Sequence, residues 1–147
     1  MPTRMIRAAV LCAIALSALA FAQADKDLRI GQWKNQADPQ NVMTYSVDGK
    51  GMKTEVVNVN REGQKTVWSY TTMLDGSDAT ITNGGNRYIA AVKKVDPYIN
   101  EIVYKGKDGT VTQYATNVVS KDGKTLTVTF KTPEGKQTAV AVYDRVP

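Results

Sequence analysis

Imidazole and thiol chemistry are excluded at the outset. The chain holds no histidine, and its one cysteine, Cys12, falls within an apolar N-terminal run. That removes the usual proton shuttle near neutral pH, the thiol nucleophile and the commonest zinc ligands. Any catalysis would therefore rest on carboxylates. Glu101 sits among apolar neighbours in Ile99-Asn100-Glu101-Ile102-Val103, and a buried glutamate with a raised pKa suits general acid work. No second carboxylate partners it, so Glu101 reads as a solvated strand residue and no catalytic residue is expected. Asp75, Asp78, Asn83 and Asn86 are oxygen-ligand types, but their spacing fits hairpin turns better than a twelve-residue calcium loop. Neither a metal nor a cofactor is expected.

The aromatic set points to binding. Seven tyrosines stand against two tryptophans and two phenylalanines. Each gives a pocket an apolar wall with a polar tip, which suits an amphipathic ligand, although tyrosine is also favoured in strands for its own sake. Trp68 and Tyr70 are two residues apart and share one face of a strand, which makes them candidate ligand contacts. Lys93, Lys94, Lys105 and Lys107 are interleaved with tyrosines, a pattern that can serve base stacking. The charge balance argues against nucleic acid as a partner.

That balance depends on the N-terminus. Arg4 and Arg7 precede an uncharged apolar run from Ala8 to Ala22, then Ala22-Gln23-Ala24 and the charged Asp25-Lys26-Asp27. This is the order of parts in a cleaved secretory signal peptide. The run is short of the roughly 20 residues a membrane span wants. The expectation is cleavage near Ala24 from a bacterial-type Sec leader, residues 1–24. A single domain, 25–147, is then left in the periplasm or outside the cell, with no stable membrane insertion. Arg4 and Arg7 leave with the leader, so 19 basic residues become 17 against 14 acidic, a net +3. Such a dispersed excess is not the basic stripe that tracks phosphates.

The elements that would position these side chains are strands. Asp-Gly or Glu-Gly recurs at Asp48, Glu62, Asp75, Asp108, Asp122 and Glu134, and Ala37-Asp38-Pro39, Asn83-Gly84-Gly85-Asn86 and Asp96-Pro97 add further breaks. Glycine supplies the positive φ of tight hairpins, and Asp or Asn tolerates it. These nine breaks divide the mature chain into ten segments. Thr125–Phe130 alternates, with Leu126, Val128 and Phe130 on one face and threonines on the other. Thr66–Leu74 puts Trp68, Tyr70 and Leu74 on one side. Short strands at regular spacing predict an all-β, antiparallel up-and-down meander of about ten strands closed as a barrel, since closure removes exposed edges. Polar and apolar residues mix on both faces of Tyr98–Tyr104, as a partly wet interior would tolerate.

Gly31-Gln32-Trp33 on the first strand is similar to the Gly-x-Trp opening of the calycins, the group of lipocalins, fatty-acid-binding proteins and avidins. Val142-Tyr143-Asp144-Arg145-Val146 resembles their closing segment, and Asp122 to Tyr143 resembles the last hairpin of fatty-acid-binding proteins. The resemblance implies that Arg145 packs over Trp33 and closes one end of the barrel, and that Tyr143 faces inward as a ligand contact. It departs from the fatty-acid-binding pattern in two places, and the set of ligand-stacking tryptophans found in avidins is missing. Only Gln36 to Asn41 separates the first two strands, so there is no helical lid, and Ala141 stands where the carboxylate-anchoring arginine would be. Arg87, from mid-chain, is the candidate replacement. The expected function is non-catalytic binding of a small apolar or amphipathic, lipid-like molecule. The rival is an envelope protein-interaction or inhibitor module with a filled barrel and a protein partner. A cavity marks the first, and a packed lumen with an exposed apolar patch marks the second.

Overall fold

The computed structural model describes residues 27–147; the expected leader, residues 1–24, lies outside them. Ten strands follow in chain order: β1 (Gly31–Asn35), β2 (Val42–Asp48), β3 (Gly51–Val59), β4 (Lys65–Thr72), β5 (Asp75–Thr80), β6 (Ile89–Lys94), β7 (Ile99–Lys105), β8 (Val111–Val119), β9 (Thr125–Lys131) and β10 (Gln137–Arg145). Every pairing between them is antiparallel, and the described residues contain no helix. The fold is thus an all-β meander without a helical lid.

The order across the sheet is β4-β3-β2-β1-β10-β9-β8-β7-β6-β5. β1 pairs with β10, with Trp33 opposite Arg145, so the first and last strands are neighbours inside the wall. The barrel nearly closes along a seam between β4 and β5. A single bridge crosses that seam, in which the Ser69 and Thr82 amides each donate to the other's carbonyl, at 3.1 and 2.8 Å.

The turn signals locate the strands, with one correction. Asp75-Gly76 is not a turn. The chain reverses at Met73-Leu74, where Leu74 takes a φ of 61° and its amide donates to Thr72 Oγ1 at 3.0 Å. Asp75 and Gly76 instead open β5, in a bulge where the register slips between Asp75 and Asp78. A bulge wants a glycine with positive φ just as a turn does, so the two look alike in sequence. Leucine seldom enters the left-handed region, and Leu74 therefore gave no sign of the true reversal.

Antiparallel order puts the β1–β2, β3–β4, β5–β6, β7–β8 and β9–β10 loops at one end of the barrel. The other end is packed solid. Trp33, Met52, Val92, Val119 and Leu126 are fully buried there. On β7, Asn100, Ile102 and Tyr104 are buried while Glu101 is exposed, which accounts for the mixed pattern of that strand. Glu101 is a solvated wall residue.

Candidate functional site

The closed end is built around Trp33, which has no exposed surface. Its indole Nε1 donates to the Arg29 carbonyl at 2.8 Å. The Arg145 guanidinium carbon lies 4.1 Å from the Trp33 ring centroid. The same guanidinium donates to the carbonyls of Gly123 (2.7 Å), Ile30 (2.9 Å) and Leu28. It therefore ties the β8–β9 turn and the segment before β1 across the barrel end. Gly31 makes this approach possible. Its φ is 126°, and a Cβ there would sit 3.0 Å from Arg145 Nη1. The small residue in Gly-x-Trp is thus a clearance for the arginine.

Beneath that stack lies an ionic plug. Asp27 and Arg29 are both buried. Asp27 Oδ1 accepts from the Arg29 amide and from its Nη1, each at 2.9 Å, while Oδ2 accepts from Lys94 Nζ at 2.9 Å. Burial pushes the Asp27 carboxyl up, but the charge of Arg29, the Arg29 amide and Lys94 together outweigh it and hold the carboxyl below its ordinary range.

The other half of the barrel is hollow. A cavity of about 250 Å³ lies between the closed end and the loops at the opposite end, among them β1–β2 and β5–β6. The four expected contacts, Tyr143, Trp68, Tyr70 and Arg87, all line it. Trp68 and Tyr70 stack with centroids 6.0 Å apart and an interplanar angle of 20°, and Tyr104 meets Trp68 nearly edge-on at 6.4 Å. Burial raises the pKa of the Tyr45, Tyr70, Tyr104 and Tyr143 phenols. All four are therefore neutral hydroxyls at physiological pH, able both to donate and to accept.

Sequence reasoning missed the polar members of this lining. Asn35, Asn41, Asn58, Thr54 and Asn117 all face the cavity, and nothing marks an asparagine in a strand as inward-facing before the register is known. Asn117 is 3% exposed, and its Nδ2 donates to Tyr45 Oη at 2.9 Å. Its Oδ1 has no hydrogen-bond partner, nor has Asn41 Oδ1. Buried polar groups are rarely left so.

Arg87 reaches the cavity from the β5–β6 loop. Gly84 shapes that loop, because a Cβ on it would fall 2.2 Å from the Arg87 carbonyl oxygen and 2.6 Å from Ile81 Cγ2. The Arg87 guanidinium lies 4.9 Å from the Tyr104 centroid, 5.7 Å from Trp68 and 5.9 Å from Phe130. One nitrogen, Nη2, donates to Gln113 Oε1 at 2.9 Å. Among the described residues no carboxylate lines the cavity and Arg87 is in no ion pair. No group of three or more Asp, Glu, His or Cys among the described residues could hold a metal ion. In the bulge that opens β5, Asp75 accepts from Ser77 N and Oγ.

The chain matches no protein-family model and no curated protein. The site must speak through its own geometry.

Proposed function

We propose that this protein binds a small amphipathic molecule inside the barrel and catalyses no reaction on it. The observation that carries this reading is the cavity of about 250 Å³, walled by aromatic rings and bearing buried, unpartnered amide oxygens and a cation without a counter-ion. Small-molecule sites combine apolar walls with convergent polar groups, and this lining mixes aromatic rings with amides, hydroxyls and one guanidinium. The lining holds neither carboxylate nor imidazole, and its phenols stay protonated, so it offers no ready general base.

The leader-like N-terminus supports a location in the periplasm or outside the cell. The Trp33–Arg145 stack and the ten-strand meander support a kinship with calycins. Both belong to the proposal. The rival reading, a protein-interaction module, draws on Tyr98, Tyr114 and Val118, which are 37–38% exposed on the outer wall around β7 and β8.

Native mass spectrometry of protein purified from its own envelope separates the two. A discrete added mass of a few hundred daltons or less, shed on collisional activation, is expected. Protein that runs bare even when purified without detergent or extraction would move the outer wall and a protein partner into first place.

A further inference from the structure

We infer that the ligand is a small planar anion carrying a hydroxyl at the end remote from its charge, a hydroxy-substituted aromatic carboxylate being the simplest such molecule. The inference rests on the reading of the cavity as a binding site and adds the chemistry of its two ends.

The first end is Arg87. Three ring faces within 6 Å attract its charge but offer nothing to the in-plane N–H groups. A guanidinium has five such donors, and the bond to the neutral Gln113 amide uses one. A carboxylate matches the remaining fork in geometry and charge.

The second end is Asn117. With the amide as placed, Nδ2 holds Tyr45 and Oδ1 seeks a donor. With the amide turned, the free group would be a donor seeking an acceptor. A hydroxyl satisfies either arrangement, because it both gives and receives a hydrogen bond.

Strand β8 sets the span. Gln113 and Asn117 are four residues apart on it, about 13 Å along the backbone, which sets the scale of the gap between the two ends. The stacked Trp68–Tyr70 pair and the crossing Tyr104 ring present flat walls between the ends. Roughly 300 Å³ is the lower limit for drug-sized pockets, so a hollow of about 250 Å³ fits one substituted ring better than a long acyl chain.

The test is calorimetric titration of the purified protein with 4-hydroxybenzoate, benzoate, 4-hydroxybenzamide and decanoate. The hydroxy acid should bind tightest. Losing the charge (the amide) or the hydroxyl (benzoate) should each weaken binding about tenfold, as the loss of one buried hydrogen-bonded contact does. Arg87→Gln should erase the preference for acid over amide, and Asn117→Leu the preference for hydroxybenzoate over benzoate, with circular dichroism verifying that each variant is folded. The comparisons among ligands on the unaltered protein stand even if a variant does not fold. Equal affinity for acid and amide, an acid preference that survives Arg87→Gln, or tighter binding of decanoate would overturn the anion assignment and leave the cavity a binding site. If none of the four binds but a cargo mass is present in the native spectrum, the inference alone falls. Silence in both experiments overturns it together with the binding reading.

Discussion

At the scale of single residues, Trp33 joins three kinds of force. Its ring is fully buried, its indole N–H is satisfied by the Arg29 carbonyl, and its face carries the Arg145 cation. Removing the ring would leave a large void and also strip Arg145 of its platform. Trp33→Ala should therefore destabilise the fold by about 3–5 kcal/mol, the usual range for deleting a large buried aromatic side chain. Equilibrium unfolding in urea measures this directly, and a loss below about 1 kcal/mol would contradict the plug role. The indole of Trp68, by contrast, lines a hollow. Its neighbours are partly empty space, so truncation there forfeits fewer contacts.

Among elements, the wall is uneven. The first and last strands, β1 and β10, join through a ladder continuous with both neighbours, while among the described residues the seam between β4 and β5 is crossed by one two-bond bridge, from Ser69 of β4 to Thr82 just past β5. Backbone amides that face the seam outside that bridge are open to water or to a partner strand. Native-state hydrogen exchange should show seam-facing amides of β4 and β5 exchanging by low-energy local opening, and those of β7 and β8 only near the global unfolding limit. Uniform protection around the barrel would mean that the seam is closed more firmly than a single bridge allows. The seam lies beside the cavity: Trp68 precedes Ser69 on β4, and Arg87 follows Thr82 by five residues on the β5–β6 loop. Under the proposed binding role, opening of the seam would give the ligand a route in.

For the molecule as a whole, acid stability is set in part by the plug under Trp33. The folded-state pKa of Asp27 lies below its ordinary value. Its contribution is thus complete above the unfolded pKa of about 3.9 and is lost as pH falls through the lower folded value. Asp27→Asn leaves the Arg29 charge buried without its counter-ion. At pH 7 this should cost about 3 kcal/mol, the scale of breaking a buried ion pair. Thermal or urea unfolding of both proteins should show that gap narrowing below about pH 4. A gap as wide at pH 3 as at pH 7 would show that Asp27 acts through shape rather than charge. The exposed carboxylates Asp75, in the β5 bulge, and Asp108 and Asp122, in turns, are also held down by their hydrogen bonds. They titrate alike in both proteins and cancel in the comparison.

The architecture was legible in the sequence because turns are local. Asp-Gly and Asn-Gly pairs report backbone conformations that need no distant partner, and eight of the nine expected breaks separate strands as read. The Trp33–Arg145 stack was anticipated only through the resemblance of Gly31-Gln32-Trp33 and the closing segment to calycins. The site was less legible. Trp68, Tyr70, Tyr143 and Arg87 could be nominated, but alternation says only which residues share a face, not which face is inside. That was decided when β1 paired with β10 and the sheet curled. The same closure turned Asn35, Asn58 and Asn117, polar strand residues with no distinguishing signal, into the lining of a cavity. It also carried Asp27 and Arg29, to which the sequence assigned no structural task, into a buried ion pair. Local chemistry fixes where a chain turns; burial is a property of the closed surface, and only the assembled barrel has an inside.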